Sequence, residues 1–81
     1  MGKFYSIAGQ NGLAVASSWE KAQEMRKYIY KAEIKSFETF EDAENWAILE
    51  FSQRVPPEYQ VVTYLKIDRA VFKKHLRPDF V

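Results

Sequence analysis

Hydrophobic and polar positions alternate at the start of the chain, and this pattern predicts a β-hairpin. The segment KFYSIA, residues 3–8, alternates and favours a strand, and LAVAS, residues 13–17, favours a second one. Between them, GQNG combines two glycines with an asparagine, which are residue types that form tight turns between antiparallel strands. We therefore expect two antiparallel strands joined by a turn at residues 9–12.

The spacing of apolar residues then becomes helical. Ser17 and Glu20 fit a Ser-x-x-Glu capping box, in which each side chain pairs with the other residue's backbone N–H. The apolar residues that follow at helical spacing are Trp19, Ala22, Met25, Tyr28 and Ile29. A first helix is therefore expected to begin with Ser17 as its cap.

A third strand and a second helix complete the main pattern. KAEIKSF, residues 31–37, alternates, with Ala32, Ile34 and Ser36 on one face. Thr39 is expected to cap the second helix, with Asp42 three residues further on. The apolar stripe of this helix comprises Phe40, Ala43, Trp46, Ala47 and Phe51.

The remaining residues predict a short extension. VPPEY breaks the chain, YQVVTYL at residues 59–65 is rich in β-forming residues, and Asp68 is a candidate cap for a helix over RAVFKKHL, residues 69–76, ended by Pro78. The predicted fold is α+β: a small three-stranded antiparallel sheet packed with two helices (β-β-α-β-α), plus a C-terminal β-α extension. We expect residues 1–54 to form the domain, and residues 55–81 to pack on it or to mediate association.

Composition limits the class of protein. The chain has 81 residues, of which 47% are hydrophobic and 16% aromatic, enough for one small packed domain. It has no cysteine, so neither disulfides nor thiolate chemistry contribute. The first residues lead into an alternating strand rather than a secretory signal, and no apolar run is long enough to span a membrane. A cytoplasmic location is the expectation.

Residues typical of catalysis are sparse. His75 is the single histidine, and with no cysteine it has no partner for a metal site. Glu41, Asp42 and Glu44 cluster at the start of the second helix, where acidic residues offset the helix dipole. The GQNG turn lacks the glycine spacing and the lysine of a phosphate-binding loop. We expect no enzymatic activity, no cofactor and no metal.

Trp19 is unusual because it stands in the first turn of a helix. The third strand should bring Lys35 and Ser36 to the same end of the sheet. A tryptophan beside a lysine and helix N–H groups suits a sugar–phosphate backbone, because the ring packs on the sugar while the cation and the N–H groups hold the phosphate. The alternative is that Trp19 is a hydrophobic lid over the hairpin.

Four pieces of sequence together resemble a known family. They are the aromatic pair Phe4-Tyr5 in the first strand, Ser18-Trp19 after a glycine-bearing hairpin, the strand at residues 32–37, and the Thr-x-x-Asp-Ala helix start at residues 39–43. Over about residues 3–51 their order and spacing resemble the N-terminal hybrid-binding domain of eukaryotic-type ribonuclease H, which also occurs in the caulimovirus protein viroplasmin.

The resemblance implies both a fold and a function. Domains of this family have a three-stranded antiparallel sheet with two helices, and they bind RNA–DNA hybrid and double-stranded RNA without cleaving it. By position, Tyr5 and Trp19 would contact the sugar–phosphate backbone of the DNA strand, and Lys35 would contact a phosphate. Ser36 stands where the family often has a second basic residue.

Charge is where this chain departs from the family. The family's hairpin is usually basic, whereas AGQNGLAVAS has no charge, and Ile34 replaces an aromatic residue. Residues 1–52 hold six basic and eight acidic side chains, and residues 53–81 hold six basic and three acidic ones. Either binding is lost, or charge comes from a local cluster or from the C-terminal extension. The cluster comprises Arg26, Lys27, Lys31 and Lys35, and the extension carries Lys66, Arg69, Lys73, Lys74 and Arg77.

Two functions therefore remain as hypotheses. The first is a non-catalytic domain that binds RNA–DNA hybrid or double-stranded RNA through the backbone, alone or with a ribonuclease H or another protein acting in trans. Its candidate contacts are Tyr5, Trp19, Arg26, Lys31, Lys35 and Ser36. The second is a protein–protein interaction module on the same scaffold, with a homodimer formed through the C-terminal extension. An exposed Trp19 favours the first hypothesis, and a buried one removes its main support.

Overall fold

The computed structural model describes residues 3–59 and 65–73. Within these ranges the chain forms four strands and two α-helices in the order β-β-α-β-α-β. The elements are β1 (Phe4–Ala8), β2 (Gly12–Ala16), α1 (Trp19–Arg26), β3 (Glu33–Phe37), α2 (Phe40–Arg54), a short 3₁₀ turn (Pro57–Tyr59) and β4 (Arg69–Phe72). The predicted α+β fold is confirmed, including the three-stranded antiparallel core and both helices.

The four strands form one antiparallel sheet in the order β3-β1-β2-β4. The predicted hairpin is present, and its turn is closed by the Gly9 N–H, which donates to the Gly12 carbonyl over 3.0 Å. Across the sheet, Tyr5 pairs with Ala16 on one side and with Ser36 on the other. The alternating pattern of β1 thus sets the register of both neighbouring strands.

The two helices cover opposite faces of the sheet. Successive side chains of a strand point to opposite faces, so β1 contributes to two separate clusters. Ile7 packs with Ala14, Ala16 and residues of α1 on one face, whereas Phe4 packs with residues of α2 on the other. The α2 cluster contains Leu13, Val15, Ala43, Ala47, Phe51, Val55 and Leu65. Both faces of the small sheet are therefore used for packing.

Both helix caps are serine or threonine side chains, but the first is one residue later than predicted. Thr39 Oγ1 accepts the Asp42 N–H over 3.1 Å, which confirms the cap of α2. In α1 the cap is Ser18, whose Oγ accepts the Lys21 N–H over 3.2 Å. The prediction of Ser17 as the cap was wrong, because the Ser17 N–H and hydroxyl both donate to Asp68, a tertiary partner that the local Ser-x-x-Glu pattern does not reveal.

The helix predicted after Asp68 was wrong over the part that is described. Residues 69–72 form β4, which pairs with β2 and places Gly12 opposite Phe72. Asp68 has a φ of 63°, a turn conformation that a helix cap does not adopt. Ala70 and Phe72 extend the cluster beneath α1, and Val71 extends the one beneath α2, so the strand serves both faces.

Other predictions for the C-terminal part lie outside the described residues. These are most of the β-rich run at 59–65 and the end of the expected helix, including Lys74, His75, Arg77 and Pro78. Leu65 is described and is 3% exposed, within the cluster beneath α2. Its N–H donates to the buried carboxylate of Glu44 over 2.8 Å, so the chain after the 3₁₀ turn is tied to α2.

Candidate functional site

The two aromatic residues singled out from the sequence lie in contact. Tyr5 is half-buried on the α1 face of β1, and Trp19 is the first residue of α1. Their ring centroids are 5.5 Å apart and the ring planes are tilted by 59°. Trp19 nevertheless keeps 45% of its surface exposed. It is therefore a supported but open ring, and not a lid buried over the hairpin.

The start of α1 is fixed from both sides. Trp19 contacts Tyr5 on one flank of the helix, and Lys21 on the other flank extends toward β4. There the Asp68 carboxylate accepts the Ser17 N–H over 2.8 Å, the Ser17 hydroxyl over 2.7 Å and the Lys21 ammonium over 3.1 Å. We call this set of Ser17, Lys21 and Asp68 the Asp68 clamp. It joins the residue before β4 to Ser17 and Lys21, which lie on either side of Trp19 in the sequence.

The electrostatics of the Asp68 clamp favour an ionised carboxylate. Burial raises the pKa of Asp68, but the hydrogen bonds from Ser17 and the Lys21 ammonium outweigh that effect, so the net pKa lies below the ordinary value. The clamp was missed in the sequence because its members are far apart along the chain. The one local signal is Asp68 itself, since aspartate tolerates the left-handed backbone of a turn.

Ser36 lies beside Tyr5, and Lys35 does not. Ser36 is the β3 residue directly opposite Tyr5, so both project on the α1 face. Lys35 pairs instead with Ser6, whose hydroxyl donates to the Ala43 carbonyl of α2. Lys35 is thus on the α2 face, where its ammonium lies 5.5 Å from the centroid of the Phe37 ring. The expectation that Lys35 lies beside Trp19 was therefore wrong. That Lys35 contacts a phosphate stays a prediction, and such a contact would be made from β3, at the edge of the described sheet.

Arg26 and Lys31 lie toward the other end of α1. Seven residues are almost two helical turns, so exposed Arg26 lies on the same flank as Trp19, about 10 Å along the axis. Lys31 is exposed in the connection between α1 and β3, with a φ of 53°. The six predicted contacts are therefore not one compact patch, and their binding roles stay predictions.

These positions define a surface that we call the α1–β3 groove, formed by Tyr5, Trp19, Ser36 and Arg26. It offers an open aromatic ring and a hydroxyl beside β3, with a guanidinium further along α1, and among the described strands β3 is the last one on that side of the sheet. This combination suits packing on a sugar and hydrogen bonding to phosphate. Among residues 3–59 and 65–73, no group of three or more potential metal ligands converges.

Comparison with known proteins identifies one relationship. A scan against models of protein families matches residues 3–47 to the ribonuclease H1 N-terminal domain. The match covers β1 to β3 and about half of α2, and ends well before β4. Searches of curated proteins and of solved structures found no match. Within the described residues, no helix is long and apolar enough to cross a membrane.

Proposed function

Because the chain belongs to the ribonuclease H1 N-terminal domain family, which comprises non-catalytic binding domains for nucleic acid, we propose that it binds RNA–DNA hybrid or double-stranded RNA. In this proposal the α1–β3 groove receives the sugar–phosphate backbone, and the protein reads duplex shape rather than sequence. A ribonuclease acting in trans and a cytoplasmic location remain part of the hypothesis.

The observation that carries the proposal is the state of Trp19. Burial of a tryptophan side chain stabilises a small domain, yet Trp19 keeps 45% of its surface exposed. Tyr5 contacts the ring, and the Ser18 cap fixes the first turn of the helix that carries it. A ring that is ordered before the ligand arrives loses little conformational freedom on binding, which favours affinity.

The distribution of carboxylates also supports binding despite the acidic balance of residues 1–52. Glu33 and Glu50 both pair with Arg54, and Glu44 is buried and accepts the Leu65 N–H. Arg54 offsets one of the two charges of Glu33 and Glu50, and the Glu44 carboxylate is turned toward the protein interior. Arg26 lies on the flank of α1 that faces the groove, and Lys35 adds attraction at the edge of β3 that salt would screen.

Protein–protein interaction on the same scaffold is the second candidate. Among the described strands, β4 is at the edge of the sheet opposite β3, and an edge strand presents backbone groups to which another strand can pair. In this second candidate function, two copies of the protein associate as a homodimer through the C-terminal extension. Sedimentation of the protein alone tests it, because the nucleic-acid proposal does not need a dimer.

The test of the proposal is a titration of fluorescently labelled duplexes of about 16 base pairs, a length that a double-stranded RNA reader spans. Hybrid, RNA duplex and DNA duplex are compared at low and moderate salt. Trp19→Ala should weaken hybrid or RNA binding at least about five-fold, within the range for loss of a stacked aromatic. Lys35→Ala should have a smaller effect that disappears as salt rises.

Leu49→Ala is the matched control. Leu49 is 56% exposed on α2, so its truncation removes a comparable exposed apolar side chain from the other side of the sheet. Circular dichroism checks that each variant is folded. Absence of binding at low salt, or equal binding by wild type and Trp19→Ala, would contradict the proposal.

A further inference from the structure

Two tyrosines project from the connection between α1 and β3. Tyr28 is 67% exposed and Tyr30 is 60% exposed, while Ile29 between them is 3% exposed and packs beneath α1. Helical spacing had predicted Tyr28 on the apolar stripe, but α1 ends at Arg26 and Tyr28 points away from the core. We call residues 26–31, RKYIYK, the tyrosine loop.

The tyrosine loop is held in one conformation by the hairpin turn. The Asn11 side chain donates to the Tyr28 carbonyl over 3.1 Å and accepts the Tyr30 N–H over 2.7 Å, and the Gln10 N–H donates to the Tyr30 carbonyl over 2.9 Å. Gly9 permits this approach, because a Cβ there would lie 2.5 Å from both Ile29 Cγ2 and the Tyr30 carbonyl oxygen. The backbone that carries both tyrosines is therefore positioned without a ligand.

The tyrosine loop also has a charge that differs from the rest of the domain. It contains Arg26, Lys27 and Lys31 and no acidic residue, although residues 1–52 as a whole carry two more acidic than basic side chains. All three cations are exposed. The Lys31 ammonium lies 5.6 Å from the centroid of the Tyr30 ring, so one of the two tyrosines has a cation next to its ring.

We propose that the tyrosine loop is a second nucleic-acid surface, which binds unpaired nucleotides of a single strand. Single-strand binding combines aromatic rings on which bases stack with cations that follow the phosphates, and this loop has both. Tyr28 and Tyr30 are separated along the chain by one buried residue, so the same short loop carries two exposed rings on which bases can stack. The fixed backbone lowers the cost of ordering them on binding.

This surface goes beyond the proposed duplex-binding groove and does not depend on it. Trp19 is at the start of α1, whereas the tyrosine loop begins where α1 ends, about 10 Å along the helix axis. Arg26 is shared by the two surfaces, because it is on the Trp19 flank of α1 and is the first residue of the tyrosine loop. A ligand with a duplex part and an unpaired end would engage both surfaces, with the duplex on the groove and the end on the tyrosine loop.

The experiment compares three labelled ligands: a single strand of about 12 nucleotides, a blunt RNA–DNA hybrid, and the same hybrid with an overhang of about four nucleotides. Tyr28→Ala/Tyr30→Ala should weaken binding of the single strand at least about ten-fold, given the size of stacking effects per base. It should also abolish the advantage of the overhang over the blunt hybrid. Tyr28→Phe/Tyr30→Phe keeps both rings and should remain within about two-fold of wild type.

Trp19→Ala and Leu49→Ala separate this inference from its alternatives. Trp19→Ala should weaken binding of the blunt hybrid and leave binding of the single strand unchanged, so failure at one surface does not conceal the result at the other. The proposal is overturned if wild type does not bind the single strand at low salt. It is also overturned if the tyrosine variant binds it as wild type does, or if Leu49→Ala weakens binding as much.

Discussion

Ser36 of β3 lies directly across from Tyr5 of β1, whereas Lys35 projects to the opposite face of the sheet. The position beside the aromatic pair is therefore neutral in this chain. The hydroxyl can donate a hydrogen bond to a phosphate but contributes no net charge. A single substitution at Ser36 can therefore add a charge to the α1–β3 groove beside Tyr5.

Ser36→Lys should strengthen hybrid binding. The added ammonium would lie next to Tyr5 on the α1–β3 groove, and about 1 kcal/mol of added attraction corresponds to a roughly three- to ten-fold gain in affinity at low salt. One further phosphate contact should also steepen the logarithmic salt dependence by about one unit. Anisotropy titrations of labelled hybrid at several salt concentrations measure both effects.

Gln53→Lys is the control for Ser36→Lys. Gln53 is exposed on α2, away from the α1 face, so the same charge is added without entering the groove. An equal gain in affinity from both variants would show that net charge alone matters, and would contradict the groove as the contact.

Asp68→Asn should lower the free energy of unfolding at neutral pH by about 1 kcal/mol, because charge-assisted hydrogen bonds to Ser17 and Lys21 are lost. Asparagine tolerates the positive φ of this position, so the backbone is not penalised. The pKa of Asp68 is lowered in the folded state, so its contribution is present above the unfolded pKa of about 4 and is lost as pH falls through the folded pKa.

Urea unfolding at a series of pH values measures this difference. The gap between wild type and Asp68→Asn should be largest near neutral pH and should close in acid. Glu38→Gln removes one carboxylate from an exposed residue and serves as the control. A gap that persists unchanged below the folded pKa would mean that the carboxylate charge is not what stabilises the Asp68 clamp.

Gly12→Ala should detach β4 while leaving the other three strands paired. A Cβ at Gly12 would lie 2.8 Å from the Val71 carbonyl oxygen and 2.9 Å from Phe72 Cδ1, and the backbone oxygen cannot move aside without breaking the strand pairing. We expect a loss of about 1–3 kcal/mol in stability, the usual range for overpacking.

Hydrogen exchange locates the effect of Gly12→Ala. Amide protection should fall over Arg69–Phe72 and persist over Phe4–Ala8 and Glu33–Phe37, which pair with each other independently of β4. Gly9→Ala makes the same chemical change at the other end of the turn, where the clash is with the tyrosine loop. If both variants reduce protection uniformly, β4 is not a separable strand.

The sequence predicted the fold where a pattern was long and local. The hairpin, both helices and β3 follow from alternation, helical spacing and capping residues, and Trp46 is the more buried of the two tryptophans, half-buried against Phe37. β4 was missed because four residues are too few to distinguish the alternation of a strand from the spacing of a helix. The apparent capping aspartate instead adopts a left-handed turn.

The candidate site was predictable only in part, because only contacts between elements close together along the chain leave a local pattern. The contact between Tyr5 and Trp19 joins a strand to the next helix along the chain. The face on which Lys35 projects depends on strand register, which no local pattern states. The Asp68 clamp depends on a pairing across about fifty residues. The register of β3 and the Asp68 clamp are both set by tertiary packing, and they determine where the charged side chains Lys35, Lys21 and Asp68 lie.

The most direct test of the account is the fluorescence of Trp19 itself. The chain has two tryptophans, so Trp46→Phe leaves Trp19 as the only one and keeps an aromatic ring against Phe37. Titration of this variant with RNA–DNA hybrid at low salt should give a saturable change in emission that follows binding measured by anisotropy. The reciprocal variant, Trp19→Phe, should show little change. Binding without any change in Trp19 emission, or no binding at all, would contradict the central claim that this open ring is the contact with the nucleic acid.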